Sequence, residues 1–434
     1  MLHRSVAASV LLFIWANPSL SFESGQQVVA TTDLEVIAGG KPVDTIAAGQ
    51  MLRVIRVEGD KLWVSRGRPG TIPSSQVVEL EAAEAHFQRR FASGAGPKDY
   101  LSRGTVRIAL GRHDEGIADL EKAIELAGTG DAYLEPLAFA QLAAQNQEAA
   151  IKTFKRCVKA NPESAGARMG LGLAYFQVGQ NRNSYVELAK AVELEPLHAF
   201  PRKYLGAILH DVGKPELAKE QLEAAASLDP HDAFTHKSLG RLFYDLNDYD
   251  QALEHFQQAV EINPSDVEAI AGRGVVQQGI GTDLRAAEAD YRRAIELSAL
   301  GPENAYLLNN LGHVQLELNE YRESYKSLSR CLELDPDFTE ARSHRVHLVA
   351  TQAPDRAPMD WMTAEIETIF ASNDDRTYWD YQAKAAVLAL QKDFSQALQV
   401  QTTADRLLKK TGPKRFEPKS ESLLKTYRRA AAGG

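Results

Sequence analysis

Apolar and polar positions follow two different periods along this chain. Between residues 26 and 80 they alternate in twos: Val28-Val29-Ala30, Leu34-Glu35-Val36-Ile37, Met51 to Val57 and Lys61-Leu62-Trp63-Val64, cut by Gly39-Gly40 and Glu58-Gly59-Asp60. Period two with Gly-rich turns predicts a small antiparallel β-domain. From residue 81 the spacing changes to that of helices, as in Ala252, Phe256 and Ala259 at i, i+4 and i+7. The helical pattern itself recurs. Pro162, Pro196, Pro230 and Pro264 stand 34 residues apart, and Gly104, Ala138, Gly172, Gly206, Gly240 and Gly274 keep the same step. A fixed period of 34 predicts an array of helix pairs.

The clearest unit runs from Ala233 to Asp266, AFTHKSLGRLFYDLNDYDQALEHFQQAVEINPSD. Leu239-Gly240, Phe243, Tyr249, Ala252, Phe256, Ala259 and Pro264 occupy signature positions, and the unit resembles the tetratricopeptide repeat (TPR) family. That resemblance implies a mainly α fold, a right-handed solenoid of antiparallel helix pairs, in which Gly240 and Ala252 face each other at close range. Pro264 ends the second helix because it lacks the ladder N–H. Seven units are expected: 97–130, 131–164, 165–198, 199–232, 233–266, 267–304 and 305–338. The sixth carries one inserted residue around Gly279-Ile280-Gly281, where a local bend is expected. Residues 81–96 read as a capping helix or half repeat, 339–410 as degenerate units interrupted by Pro354 and Pro358, and 411–434 as a basic tail.

The β-region, 26–80, is similar in order to a bacterial SH3-like (SH3b) barrel. Gly59-Asp60-Lys61-Leu62-Trp63-Val64 matches that family's hairpin and strand, and Gly70-Thr71-Ile72-Pro73 stands where the family usually has Gly-Trp-Ile/Val. Thr71 replaces the Trp, which favours a packing or capping role over wall binding. At the start of the chain, His3 and Arg4 precede an apolar run from Val6 to Ala16, then Pro18 and Ser19-Leu20-Ser21. This is the pattern of a signal peptide over residues 1–21, so export to the periplasm or cell envelope is expected. Net charge is −9, and loss of Arg4 with the signal makes it −10, which argues against non-specific nucleic-acid binding. Cys157 and Cys331 both fall on the small-residue position of their units, five repeats apart, and are expected to be buried free thiols rather than a disulfide.

Chemistry is sparse. There is no Gly-x-Ser-x-Gly, phosphate loop or His-Glu-x-x-His, and no segment is left over for a catalytic domain. No enzyme activity and no cofactor are expected. Glu340, His344 and His347 share one helix face, with two of them expected to face groove solvent, but the set lacks a fourth metal ligand. The TPR resemblance implies a concave groove formed by first helices, with contacts at the second, fifth, ninth, twelfth and thirteenth positions of each unit. In this chain those positions hold Phe176, Phe200, Lys203, His210, Phe234, Lys237, Arg241, Tyr244, Tyr306, Asn309 and His313, with Asp211 and Asp245 at thirteenth positions. Aromatics beside cations suit an apolar, partly acidic peptide. The Lys/Asn carboxylate clamp of chaperone-binding members is not present as a set, since Arg241 and Ala207 stand at ninth positions. The resulting expectation is an exported, non-enzymatic scaffold that holds a protein or peptide partner. The alternative is a cell-envelope module that binds peptidoglycan through its β-domain, with the repeats as spacer.

Overall fold

A computed structural model describes residues 26–65, 69–91, 94–128, 131–281, 283–298, 304–372, 376–411 and 416–433; the expected signal peptide lies outside them. The chain forms two compact units, one ending at Ile208 and one beginning at Leu209.

The first unit opens with seven strands: β1 (Gln27–Ala30), β2 (Leu34–Ala38), β3 (Lys41–Ile46), β4 (Met51–Glu58), β5 (Lys61–Ser65), β6 (Pro69–Pro73) and β7 (Val77–Glu79). They pair antiparallel in the order β3-β2-β6-β5-β4-β1-β7. Alternation puts Val28, Val36, Ile46, Leu62 and Ile72 into one core. Gly39 and Gly40 both take positive φ, which gives the β2–β3 hairpin the twist its strands need. Trp63 lies opposite Thr71 across the β5–β6 ladder, and its indole N–H donates to Glu58 at 2.6 Å beneath the Arg56 guanidinium.

Helix α1 (Leu80–Phe91) continues directly from β7 and ties the sheet to the repeats. Its Ala83 and Phe87 pack with Val29 of β1 and with Val106 of α2 (Pro97–Ala109). Ser102 of α2 donates its hydroxyl to the Ala48 carbonyl at 3.1 Å. A charged network then joins α1 and α2 to α3 (His113–Ala127): Asp119 takes two bonds from Arg103, at 2.8 and 2.6 Å, and one from Arg107 at 2.9 Å. Arg107 also reaches Glu84 at 2.9 Å, and Arg112 binds Glu84 and Glu115. Helices α4 (Asp131–Ala143), α5 (Gln147–Ala160), α6 (Ala165–Gln177) and α7 (Asn181–Leu194) follow as pairs, and α8 (Ala199–Asp211) runs to the end of the unit.

The second unit continues with α9 (Pro215–Leu228), α10 (Ala233–Asp245), α11 (Tyr249–Ile262), α12 (Val267–Ile280), α13 (Leu284–Leu297), α14 (Asn304–Glu317) and α15 (Tyr321–Leu334). After these come α16 (Thr339–Gln352), α17 (Met359–Ser372), α18 (Tyr378–Leu390), α19 (Phe394–Thr411) and α20 (Glu417–Gly433). In the clearest unit the atoms that would lie nearest a Cβ at Gly240 belong to Phe256. The Phe256 ring of α11 lies between Gly240 of α10 and Gly272 of α12; a Cβ at either glycine would come within 2.9 or 2.4 Å of it. The third and seventh units, with Leu188 and Leu328 at the Phe256 position, add a second device. There a serine replaces Ala252, and Ser184 and Ser324 donate to the Gly172 and Gly312 carbonyls at 2.7 and 2.6 Å. Cys157 and Cys331 are buried free thiols, and burial raises the Cys331 pKa to about 12.

Each turn between paired helices is set by one residue of positive φ at the fifteenth position: Gly111, Gly179, Gly213 and Gly281, but also Gln145, Asn247, Asn319 and Lys392. In the sixth unit Gly281 closes α12 in the left-handed conformation at the same fifteenth position, and the inserted residue falls after it: α13 begins at Leu284, the eighteenth position, where α11 begins at Tyr249, the seventeenth. Side chains with a Cβ are strained there. Gln145→Gly and Lys392→Gly are therefore each expected to stabilise by about 0.5–1 kcal/mol, read from denaturant midpoints. An unchanged or lowered midpoint would contradict this account of the turns.

Candidate functional site

The face made by the first helix of each pair carries most of the candidate residues. In the first unit, Phe176 of α6 and Phe200 of α8 both pack against Tyr204, at ring distances of 5.1 Å each. The Lys203 ammonium lies over Phe200 at 5.5 Å and over Tyr204 at 5.4 Å. These four residues form one half-buried aromatic and cationic group. Tyr204 was missed because it holds the sixth position of its unit, outside the set that family pattern assigns to the groove.

In the second unit the charged candidates are already engaged. Lys237 bonds Asp266 at 3.0 Å and Glu268 at 2.8 Å; desolvation opposes its charge, but the two carboxylates win and raise its pKa. His210 Nε2 meets Asp245 at 2.8 Å, and Arg241 lies 3.9 Å from Asp211. Lys237 is thus neutralised within the fold, whereas Lys203 lies over aromatic rings and Arg241 is open to solvent. Side chains still open to solvent are Arg241, 61% exposed, and Tyr306, 50% exposed, with the half-buried Tyr244 and Phe234. Burial raises the Tyr244 pKa, and the neighbouring Tyr249 and Tyr306 add to the rise.

Asn309 and His313 do not belong to that open surface. Asn309 is 6% exposed and its Oδ1 pairs with His344 Nδ1 at 3.2 Å. His313 stacks on His344 at 4.5 Å, stands edge-on to Trp379 at 5.1 Å and stacks on Phe416 at 5.9 Å. His344 is buried, with Trp379 of α18 edge-on to it at 4.8 Å. Two nearly parallel imidazoles do not converge on one point, and among the described residues no group of three or more His, Cys, Asp or Glu is arranged to hold a metal ion. Gln278 bridges the edge of this group, donating to Glu317 at 2.9 Å and accepting from the buried Tyr291 hydroxyl at 3.0 Å. Trp379, Phe416 and Gln278 were also missed: Trp379 lay in a degenerate unit, and Phe416 in a stretch read as a polar tail.

This buried group should respond to pH. Desolvation pushes His344 well below the ordinary histidine range, helped by His313 and His347. Desolvation also lowers His347, to about 4, opposed by a backbone hydrogen bond to Gln382 and aided by the Lys419 charge of α20. The unfolded chain therefore binds protons that the folded chain refuses. Stability is complete above about pH 6.5, falls as the pH drops, and has lost about 3 kcal/mol through His347 near pH 4. The melting temperature should fall over that window in the native chain and fall less in His347→Gln.

Elsewhere in the second unit a cavity of about 1370 Å³ lies between α13, α15 and the turn after α16, lined by Arg285, Glu288, Tyr321, Tyr325 and Pro354. Its charges close on one another: Arg285 binds Glu288 and Glu320, and Arg292 binds Glu288. No helix among the described residues is long and apolar enough to cross a membrane.

Paired helices phased at 34 residues, with a first-helix face of aromatics, define a repeat protein of the helix-pair class. Tetratricopeptide-repeat family models match residues 100–129 and 305–338, 136–181 and 240–281, so the chain carries tetratricopeptide repeats. Among solved structures, the Cut9–Hcn1 hetero-tetramer of APC/C is 16% identical with a TM-score of 0.51, over 71% of this chain and 59% of that one. YrrB, described as a TPR protein with an unusual peptide-binding site, is 21% identical with a TM-score of 0.37, over 43% of this chain and 95% of its own. PilW, a type IV pilus biogenesis factor, is 14% identical with a TM-score of 0.43, over 49% of this chain and 97% of its own. At these identities the likeness concerns fold. No curated protein matches the chain.

Proposed function

We propose that this chain is a non-enzymatic scaffold that holds a protein or peptide partner against its first-helix face. The observation that carries the reading is the open group of Arg241, Tyr244 and Tyr306 in the second unit. An exposed tyrosine, a half-buried one and an exposed arginine, beside the internally paired Lys237, are of the residue types that concentrate binding energy at interfaces. Because the cations beside them are compensated, the partner is selected by aromatic and hydrogen-bonding contacts more than by negative charge. We take the chain to be exported, on the strength of the apolar run and cleavage pattern in residues 1–21. YrrB, described as having a peptide-binding site, gives a precedent for a peptide on this fold, although its likeness to this chain carries no weight of its own.

The test is photo-crosslinking from Phe234 and Tyr306 in the native envelope fraction, followed by purification of the crosslinked protein. That protein should bind the purified chain, and Tyr244→Ala with Tyr306→Ala should weaken binding at least tenfold. Unchanged affinity in the double variant would sink this reading. Cell fractionation tests export separately.

A further inference from the structure

The first-helix face of the second unit is partly filled by the chain itself. Phe416, which immediately precedes α20, is 6% exposed and sits against His313, Trp379 and Tyr378 at ring distances of 5.9, 5.9 and 6.4 Å. His313 holds the ninth position of its unit, and Trp379 the second position of a unit whose eighth is Ala385. Both are positions that the tetratricopeptide-repeat resemblance assigns to the groove. From this geometry we propose that Phe416 is a resident occupant of an aromatic seat, and that a peptide segment presenting an aromatic side chain can take its place. The inference rests on the reading of the first-helix face as a binding surface, and it names the ligand's anchor.

Three observations separate the seat from ordinary core. The rings that meet Phe416 are an imidazole, an indole and a phenol. On the rings that meet Trp379, one wall of the seat, His344 Nε2 and His347 Nδ1 are buried without a hydrogen-bond partner. An orphaned buried nitrogen costs free energy that is recovered when water or a new partner reaches it, so the closed seat is held against an opposing term. Finally, α20 is fastened away from the seat. Gln401 bonds Ser420 at 3.1 Å, and Tyr427 packs with Ala385 and Ala397. Phe416 can therefore leave while α20 stays docked. An aromatic ring is the fitting replacement, because edge-on and stacked ring contacts reward it beyond the area it buries.

The probe is a fluorescein-labelled peptide with the sequence of residues 412–424 of this chain, and a copy with alanine in place of its phenylalanine. Full-length Phe416→Ala protein is expected to bind the first peptide at least tenfold more tightly than the native chain does, and to ignore the second. Adding His313→Ala should abolish that binding, whereas adding Tyr244→Ala should leave it, which separates this seat from the surface tested with the partner. Equal binding of both peptides, or equal binding to native and Phe416→Ala protein, overturns the proposal. Should Phe416→Ala fail to fold, hydrogen exchange on the native chain decides. Excess peptide is expected to speed exchange around residues 416–420 while α18 and α19 stay protected, and no change there overturns the proposal.

Discussion

Replacing Phe256 with alanine is expected to cost about 3–5 kcal/mol. The ring belongs to α11 but serves three helices, lying between Gly240 and Gly272 with no space for a Cβ on either side. Removing it leaves a slot between two backbones that cannot collapse without shifting α10 against α12. The loss should appear as faster hydrogen exchange confined to α10, α11 and α12, because repeat units are stabilised by their nearest neighbours. The complementary variant, Gly240→Ala, adds a methyl group into the ring and should cost about 1–3 kcal/mol despite its better helix propensity. If Phe256→Ala loses less than 1 kcal/mol, the ring is not the wedge described here.

Asp119→Ala is the second large effect, again about 3–5 kcal/mol. Asp119 is buried and takes three charged hydrogen bonds, from Arg103 and Arg107, which are themselves largely covered. Truncating it leaves Arg103 without a carboxylate, bonded to Gln88 alone, and Arg107 without its buried one, where water reaches both poorly. Asp119→Asn should recover part of the loss through its remaining acceptor, and Arg103→Ala should cost less than Asp119→Ala, since Arg107 would still neutralise the carboxylate. Equal destabilisation by Asp119→Asn and Asp119→Ala would mean that charge, not hydrogen bonding, dominates. No change in either would mean that the network is solvated.

The helix pairs were legible because their determinants are local. Small residues, aromatic wedges and terminating prolines recur in register, so each unit restates its neighbours. The sheet was legible for a similar reason, since alternation and Gly-Gly turns specify strands directly. What failed to show was long-range. Which groove position is open depends on segments far along the chain: His313 is covered by Trp379 and by Phe416, which lie 66 and 103 residues later. Lys237 reads as a free cation until Asp266 and Glu268 of the next unit are seen to hold it. Serine in place of the small alanine reads as a weakening of the pattern, yet its hydroxyl finds the facing carbonyl.

The turn built around one left-handed residue has a practical consequence. At the sixth unit an extra residue is taken up between Gly281 and α13, and the following helix still buries its Ala287 and Tyr291. Such a turn is a splice point. A short flexible sequence inserted beside Asn247 or Asn319 enters a surface bend whose geometry is fixed by a single residue, and closing a loop a few residues longer adds little entropy cost. Reporter groups, affinity handles or a second domain can be carried there, leaving the seams between helices untouched.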